Sequence, residues 1–267
     1  MFRLLLLTLM FFVAVSAADR KTPVPNYDIP LWDKAKVPMA VGEGPLDNPF
    51  LTVFAPPEGK RNGAAVVIAP GGSNIMLMYG VEGMDVAERF NDWGVTAFVL
   101  TYRLSPKYND VVRALDGRRA MQVVRSRAAE LKLDPKRIGF VGFSAGSALA
   151  RLVAATATAG DANAADPVDR VSSRPDYLAM IYSAGRALPE EKLQDFPPTF
   201  LLSAAHDRGP ANGNAQLFLD MNKAGAVVEL HIYQKGRHGF GSGAGSPEFS
   251  PWMDELKHFL QMGGFLP

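Results

Sequence analysis

Apolar residues form short, nearly continuous runs along the chain, and helix-patterned stretches separate most of those runs. Seven runs have the length of a buried strand: 51–54, 64–69, 95–101, 138–143, 177–182, 199–204 and 227–233. A strand that is apolar on both faces belongs in a parallel sheet covered by helices. Helical spacing of apolar residues occurs over 83–93, 111–132, 145–158, 214–224 and 251–261. This alternation predicts one three-layer α/β domain with a mostly parallel sheet flanked by helices.

The first 50 residues do not follow this alternation. An apolar run over 4–15 follows a basic residue and precedes small residues at 16–18. That order is typical of an export signal, here over 1–17, because the run is shorter than a bilayer span requires. Cleavage one residue later, after Ala18, and an uncleaved membrane anchor are the alternatives. Residues 18–50 are rich in proline, which excludes long helices and predicts extended segments wrapped over a domain at 51–267. We therefore expect a secreted or periplasmic product that has no membrane partner after signal cleavage.

Composition narrows the possible chemistry. The chain has 267 residues, 48% hydrophobic and 21% charged, which is enough apolar material for one large core. With 28 Lys+Arg and 27 Asp+Glu, its net charge of +1 gives no reason to expect nucleic acid as a partner. The absence of cysteine excludes disulfides, thiolate metal sites and cysteine nucleophiles. No metal-binding or nucleotide-binding motif occurs, so we expect neither a metal nor a cofactor.

The strongest chemical signal is a pentapeptide. Gly142-Phe143-Ser144-Ala145-Gly146 lies where the apolar run 138–143 gives way to a helix of small residues. At such a turn the glycines remove side chains that would collide, so the serine hydroxyl stands exposed at a helix N-terminus. A tight turn without chemistry is the alternative. The pattern makes Ser144 the candidate nucleophile.

A serine nucleophile requires a histidine base and a carboxylate that holds the histidine tautomer. His238 follows a strand run in the glycine-rich loop 236–245, whereas the other histidines lie in a strand run, in the last helix or directly before Asp207. Asp207 follows the carboxyl end of a late strand, where open α/β sheets place their sites. Asp195 precedes the same strand and would lie at the opposite edge of the sheet. We therefore predict His238 as the base and Asp207 as the acid.

Backbone N–H groups in a glycine turn could stabilise the oxyanion of an ester hydrolysis. Gly71-Gly72-Ser73 follows the early strand run 64–69. We expect the N–H groups of Gly72 or Ser73, together with that of Ala145 after the nucleophile, to form an oxyanion hole. A plain turn is the alternative.

Residues near these turns are candidates for substrate contact, although apolar residues at such spacings are more often core. The candidates are Asn74, Met76, Met78, Tyr79 and Phe240. Only residues 184–198 separate two late strand runs, too few for a large lid. An open site without a large lid suits a bulky or polymeric substrate such as a decorated polysaccharide.

The predicted helix 111–132 carries a cluster of basic residues. A solvated helix face is the expected explanation for this cluster. Its members are Arg113, Arg118, Arg119, Arg125 and Arg127.

Several further motifs accompany the serine pentapeptide. They are Pro70-Gly71-Gly72, Glu82-Gly83, the segments 97–104, 134–139, 197–200 and 229–231, and His238-Gly239-Phe240. Together these motifs resemble the α/β-hydrolase superfamily, and within it the bacterial esterases grouped with acetyl xylan and feruloyl esterases. The resemblance implies a serine carbohydrate esterase whose triad is Ser144, Asp207 and His238. Those esterases usually have a third glycine and an aromatic residue where this chain has Ser73 and Asn74.

Three classes of function remain open at this stage. The leading hypothesis is an exported serine esterase that removes short acyl groups from carbohydrate through an acyl-enzyme, with a small-molecule or polysaccharide ester as its partner. A feruloyl or general carboxylesterase is a variant of the same chemistry. The others are a serine peptidase of the prolyl-oligopeptidase type and a carbohydrate-binding protein on a hydrolase scaffold. The acyl group and the oligomeric state cannot be predicted from the sequence.

Overall fold

A mixed sheet forms the middle layer of the protein. The computed structural model describes residues 25–183, 192–244, 246, 248–249 and 251–267. Within these residues the strands are β1 (Tyr27–Pro30), β2 (Phe50–Phe54), β3 (Ala65–Ala69), β4 (Thr96–Thr101), β5 (Ile138–Phe143), β6 (Leu178–Ile181), β7 (Thr199–Ala204) and β8 (Val228–Tyr233). Their order is β1-β2-β4-β3-β5-β6-β7-β8. The pairs from β4 to β8 are parallel, and β2 is antiparallel to both β1 and β4. The mostly parallel sheet predicted from the seven apolar runs is confirmed.

Helices cover both faces of this sheet. They are α1 (Asp85–Asp92), α2 (Asp110–Ser126), α3 (Ala145–Ala155), α4 (Arg208–Lys223) and α5 (Trp252–Met262), and a π-helical turn at Gly80–Met84 leads into α1. Successive strand residues point to opposite faces, so Val67 joins the cluster under α2, α3 and α4 while Val66 joins the cluster under α1 and α5. The three-layer architecture is therefore confirmed.

Two helix boundaries differ from the predicted ones by six residues each, and the others by three or fewer. Helix α2 ends at Ser126, and the chain continues in turns to Lys132, whose φ of +56° ends any helical path. There the Leu133 N–H bonds to the Ala128 carbonyl, a pairing that closes a helix terminus. Helix α4 starts at Arg208, earlier than predicted. The apolar pattern did not reveal this start, because the first residues of the helix include glycine, proline and asparagine.

The arginines of α2 do not form a solvated face, so that expectation is wrong. Arg113 and Arg119 are each only 5% exposed. Arg119 binds Asp166 at 2.5 Å and Asp169 at 2.8 Å, both in the segment that follows α3. Arg113 binds Asp110 at 2.5 Å. The partners of Arg119 lie about 50 residues further along the chain, so the spacing of residues within α2 could not predict them.

The proline-rich segment contributes an edge strand as well as surface turns. Strand β1 pairs with β2 and buries Ile29, so Tyr27–Pro30 belong to the same sheet as the later strands. Asp47, in the same segment, accepts hydrogen bonds from the Lys107 ammonium at 2.7 Å and the Tyr108 hydroxyl at 2.5 Å. These bonds, that of Lys107 first, lower the pKa of Asp47 to about 2. The export signal expected over 1–17 lies outside the described residues.

A buried ion pair joins the end of β4 to α2. Arg103 and Asp116 are both 0% exposed, and Arg103 Nη2 lies 2.6 Å from Asp116 Oδ1. The backbone N–H of Arg103 also donates to Asp116 Oδ2 at 3.0 Å, and Nη1 donates to the Pro38 carbonyl at 2.7 Å. Two residues further on, the Ser105 N–H donates to the Asn74 carbonyl at 2.7 Å, so this corner supports the loop after β3.

No helix in the described ranges is long and apolar enough to cross a membrane. The short connection expected over 184–198 cannot be followed throughout, because residues 184–191 lie outside those ranges.

Candidate active site

Ser144 lies on a strained turn between β5 and α3. Its φ is +52° and its ψ is −114°, a backbone conformation that costs free energy for a non-glycine residue. The flanking glycines are sterically required: a Cβ on Gly142 would collide with the Gly146 carbonyl, and one on Gly146 with the Ala69 carbonyl. The local sequence therefore builds the strained serine turn that the pentapeptide predicts, with Ser144 half-buried rather than fully exposed.

The structure brings together the three residues of the predicted triad. His238 Nε2 lies 2.7 Å from Ser144 Oγ, and His238 Nδ1 lies 2.5 Å from Asp207 Oδ2. The three residues follow β5, β7 and β8, whose carboxyl ends meet at one edge of the sheet. Asp195 lies in the turn that leads into β7 and is not part of this group.

This geometry assigns the proton positions on the imidazole. The Asp207 carboxylate accepts a hydrogen bond from Nδ1–H, which leaves Nε2 as the acceptor for the Ser144 hydroxyl. The Asp207 side chain is 15% exposed and that of His238 is 45% exposed. The His238 side chain is thus accessible from solvent while that of Asp207 is largely covered.

The predicted oxyanion-hole groups border the same site. Gly72 has φ +128° and Ser73 has φ +56°, and a Cβ on Gly72 would collide with the Met76 carbonyl. Among the described residues the N–H groups of Gly72 and Ser73 have no hydrogen-bond partner. Ala145 is the first residue of α3, so its N–H has no acceptor within the helix. These donors are free to bind an oxygen atom beside Ser144.

A cavity of about 270 Å³ opens next to the serine. Its lining consists of Gly72, Ser73, Ile75, Met76, Met78, Glu82, Ser144, His238 and Gly239. Ile75, Met76 and Met78 are 62%, 54% and 42% exposed, so its rim is apolar and open to solvent. The candidates Met76 and Met78 therefore border the site.

The other three contact candidates are not among the residues that line this cavity. Tyr79 is turned toward Thr52, and burial raises the pKa of its phenol. Asn74 does not line the cavity; its carbonyl is taken by the Ser105 N–H. Phe240 stacks on Phe249 at 4.1 Å and lines a neighbouring cavity. Sequence proximity to the turns did not reveal these orientations.

Glu82 belongs to one of the motifs that carry the family resemblance, but the sequence reasoning gave it no role in the site. It is 2% exposed, yet it borders the cavity. Its carboxylate accepts hydrogen bonds from the Gly71 N–H at 2.7 Å and from the Tyr182 hydroxyl at 2.6 Å. The available signal was an acidic residue within the otherwise apolar stretch 75–84.

Comparison with known proteins adds the family. The BD-FAE family model matches residues 51–177. An acetylxylan esterase of Xylanibacter ruminicola is 26% identical over 232 residues, covering 75% of this chain and 46% of that protein. The endo-1,4-beta-xylanase B of Butyrivibrio fibrisolvens is 25% identical over 219 residues, covering 70% of this chain and 34% of that protein. The chain thus spans less than half the length of these relatives.

Solved structures show the same fold over nearly the whole chain. The acetyl ester-xyloside bifunctional hydrolase from Caldicellulosiruptor lactoaceticus is 31% identical, with a TM-score of 0.81 and coverage of 91% of this chain and 98% of that one. Esterase Est2 from Thermogutta terrifontis, at 22% identity and a TM-score of 0.69, covers 86% of this chain and 94% of its own. That second likeness concerns the fold alone. With the sheet topology, the serine turn and these matches, the chain belongs to the α/β-hydrolase superfamily, among the esterases related to bacterial acetyl xylan esterases.

Proposed function

We propose that this protein is a serine esterase that removes short acyl groups, of the acetyl type, from carbohydrate. The observation that carries the proposal is the hydrogen-bonded series from Ser144 through His238 to Asp207, with distances of 2.7 and 2.5 Å. A hydroxyl, a base and an orienting carboxylate in this order are what acyl transfer to serine requires.

The reaction proceeds in two halves. His238 Nε2 takes the Ser144 proton while Oγ bonds to the ester carbonyl carbon, and the N–H groups of Gly72 or Ser73 and of Ala145 receive the oxyanion. Collapse of this intermediate breaks the bond to the sugar oxygen, which takes the proton from His238 and leaves. Water then gives a proton to His238 and attacks the acyl-enzyme; collapse releases the carboxylic acid and returns the proton to Ser144. Asp207 stabilises the imidazolium in both halves.

The dimensions of the site support a short acyl group and a large leaving group. The cavity beside Ser144 has a volume of about 270 Å³, and methionine and isoleucine side chains form its rim. The 45% exposure of the His238 side chain leaves room for a bulky alcohol on the other side of the ester. Two relatives carry an acetyl ester substrate in their names, which supports the same choice.

Export is the second part of the proposal. The apolar run 4–15 and the small residues 16–18 support cleavage after residue 17. N-terminal sequencing of the protein recovered outside the cytoplasm tests it: a start at residue 18 is expected, and an intact Met1 would contradict it.

The catalytic proposal is tested with a pair of serine variants. Ser144→Ala removes the nucleophile, whereas Ser147→Ala removes a buried hydroxyl on the same helix that has no hydrogen-bond partner among the described residues. Both proteins and the parent are assayed on p-nitrophenyl acetate, butyrate and octanoate and on acetylated xylan, after circular dichroism has shown that they are folded. We expect activity on acetate and xylan that Ser144→Ala abolishes and Ser147→Ala retains.

Each other outcome contradicts a defined part of the proposal. Activity on octanoate alone would replace the short acyl group with a longer one. Cleavage of a prolyl p-nitroanilide without ester hydrolysis would favour the peptidase. Full turnover in Ser144→Ala would overturn the serine mechanism.

A further inference from the structure

Glu82 is a buried acid beside the reacting groups that the proposed mechanism does not use. It lies on the π-helical turn Gly80–Met84, and such turns frequently occur at functional sites. Each of its two carboxylate oxygens has its own donor. Oε2 accepts from the Gly71 N–H at 2.7 Å, and Oε1 accepts from the Tyr182 hydroxyl at 2.6 Å. Gly71 belongs to the oxyanion-hole turn, and Tyr182 contacts the loop that carries His238.

On one side, Glu82 fixes the peptide that precedes the oxyanion-hole turn. The Gly71 N–H binds Glu82 while the Pro70 carbonyl of the same peptide unit accepts from the Tyr102 hydroxyl at 2.7 Å. The next unit is held because the Gly71 carbonyl accepts from the Met78 N–H at 2.9 Å. In a trans peptide the carbonyl and the N–H point in opposite directions, so these bonds set the direction of the Gly72 N–H.

Close packing makes this turn sensitive to small shifts. A Cβ on Gly71 would come within 2.6 Å of the Phe143 carbonyl, 2.8 Å of Glu82 Oε2 and 2.9 Å of Ser144 Cβ. The turn therefore rests directly on the nucleophile. A displaced Gly71 would move the oxyanion donors relative to Ser144.

On the other side, Tyr182 connects Glu82 to the histidine loop. Its hydroxyl donates to Glu82 and accepts from the Gly241 N–H at 3.2 Å. Its ring lies 4.8 Å from the His238 imidazole and 4.7 Å from the Phe240 ring, centroid to centroid. Tyr182 thus contacts the base through its ring and the loop after the base through its oxygen.

The backbone of Tyr182 is itself unusual. Its φ is +39°, a left-handed conformation that costs free energy for a residue with a Cβ. The residue is 0% exposed, and burial, with the negative charge of Glu82 next, raises the pKa of its phenol well above 10. The hydroxyl therefore stays protonated and remains a donor to Glu82.

The side chain at position 82 must accept two hydrogen bonds, one at each of its terminal atoms. A glutamine would accept from Gly71 with its oxygen but present an N–H group to Tyr182. The Tyr182 proton would then have no acceptor at position 82, since an amide nitrogen does not accept a hydrogen bond. The Tyr182 oxygen would instead face two donors, that amide and the Gly241 N–H. A carboxylate is the group that satisfies both donors at once.

We propose that Glu82 and Tyr182 form a positioning pair that holds the oxyanion-hole turn and the His238 loop in a fixed relative position. Neither residue takes part in bond making; they act through Gly71 and His238. This inference rests on the proposed esterase function.

The test uses Glu82→Gln, Tyr182→Phe and their double variant. Tyr177→Phe is the matched control, since Tyr177 is also fully buried and donates to a carbonyl of β3, at Ala65, away from the site. Turnover of p-nitrophenyl acetate is measured per reactive serine, with sites counted by complete reaction with an organophosphate. Counting sites removes any loss of folded protein from the comparison.

We expect kcat per site to fall roughly 10- to 100-fold in Glu82→Gln and in Tyr182→Phe, with KM within about twofold of the parent. Tyr177→Phe should retain the parent kcat per site. The kcat per site of the double variant should be no lower than that of the less active single variant, because either change breaks the same connection.

Two results would overturn the inference: single variants that match Tyr177→Phe in kcat per site, or losses that multiply in the double variant. If Ser144→Ala is inactive, either result would leave the proposed function intact. An active Ser144→Ala would overturn the proposed function itself.

Discussion

The buried Arg103–Asp116 pair allows a quantitative prediction about stability. Arg103→Met keeps most of the side-chain volume but removes the guanidinium contacts to Asp116, which are 2.6 to 3.1 Å long. The carboxylate then stays 0% exposed, with the backbone N–H of residue 103 as its remaining donor. Removing one partner of a buried ion pair costs about 3–5 kcal/mol, because it leaves an uncompensated charge. We expect a loss of that size in the free energy of unfolding.

The same reasoning applies to the opposite partner and to the double variant. Asp116→Asn leaves the Arg103 guanidinium without a counter-ion and should also cost about 3–5 kcal/mol. Arg103→Met with Asp116→Asn carries no charge at either of these two positions, and its remaining cost is the unpaired polar groups, about 1–3 kcal/mol for each. With two groups left unpaired, the midpoints of these ranges give a loss of about 4 kcal/mol for the double variant, against about 8 kcal/mol for the sum of the single variants.

Urea unfolding measures all three differences. The free energy is taken from transitions followed by circular dichroism and tryptophan fluorescence, and it is compared only where the two signals coincide and refolding is complete. Single-variant losses below about 1 kcal/mol, or a double variant equal to the sum within about 0.5 kcal/mol, would refute the reasoning from buried charge.

Three further predictions concern the site and its surroundings. Asp207→Asn should lower kcat on p-nitrophenyl acetate about 10⁴-fold without unfolding the protein, because the histidine loses its tautomer; a loss below tenfold would contradict this role. Gly146→Ala should abolish activity and lower the urea midpoint, since its Cβ would collide with the Ala69 carbonyl of β3, whereas an active variant would show that the turn can relax. The pKa of Asp47 is lowered in the folded state, so its stabilising effect is present above an unfolded pKa of about 4 and is lost as pH falls toward about 2. Asp47→Asn should accordingly flatten the pH dependence of the urea midpoint between these values, and an unchanged slope would exclude the contribution.

Patterns confined to neighbouring residues predicted most of the fold. The strand runs were readable because β3 to β7 are buried on both faces, so almost every residue in them is apolar. Strand β1 was missed because it is four residues long and ends in Pro30. Its pairing with β2 depends on contacts that no local pattern records.

Side chains that act over long sequence distances were harder to predict. Ser144 and His238 lie in distinctive glycine-rich turns, so their local sequence marked them. Glu82 contacts Tyr182, 100 residues away, through a carboxylate whose meaning depends on the folded structure. The direction of Tyr79, toward β2 rather than toward the serine, depends in the same way on packing and not on position along the chain.

Strand β8 is one of the two outer strands of the sheet, hydrogen-bonded to β7 alone among the described strands. Its residues are mostly half-buried, in contrast to the fully buried β7. Outer elements of this kind open with less free energy than the core does. Ser144 follows the fully buried strand β5, whereas His238 follows the half-buried outer strand β8. Warming or mild denaturant would therefore separate Ser144 from His238 while the central strands stay paired, and hydrolytic activity would disappear before the bulk of the protein melts.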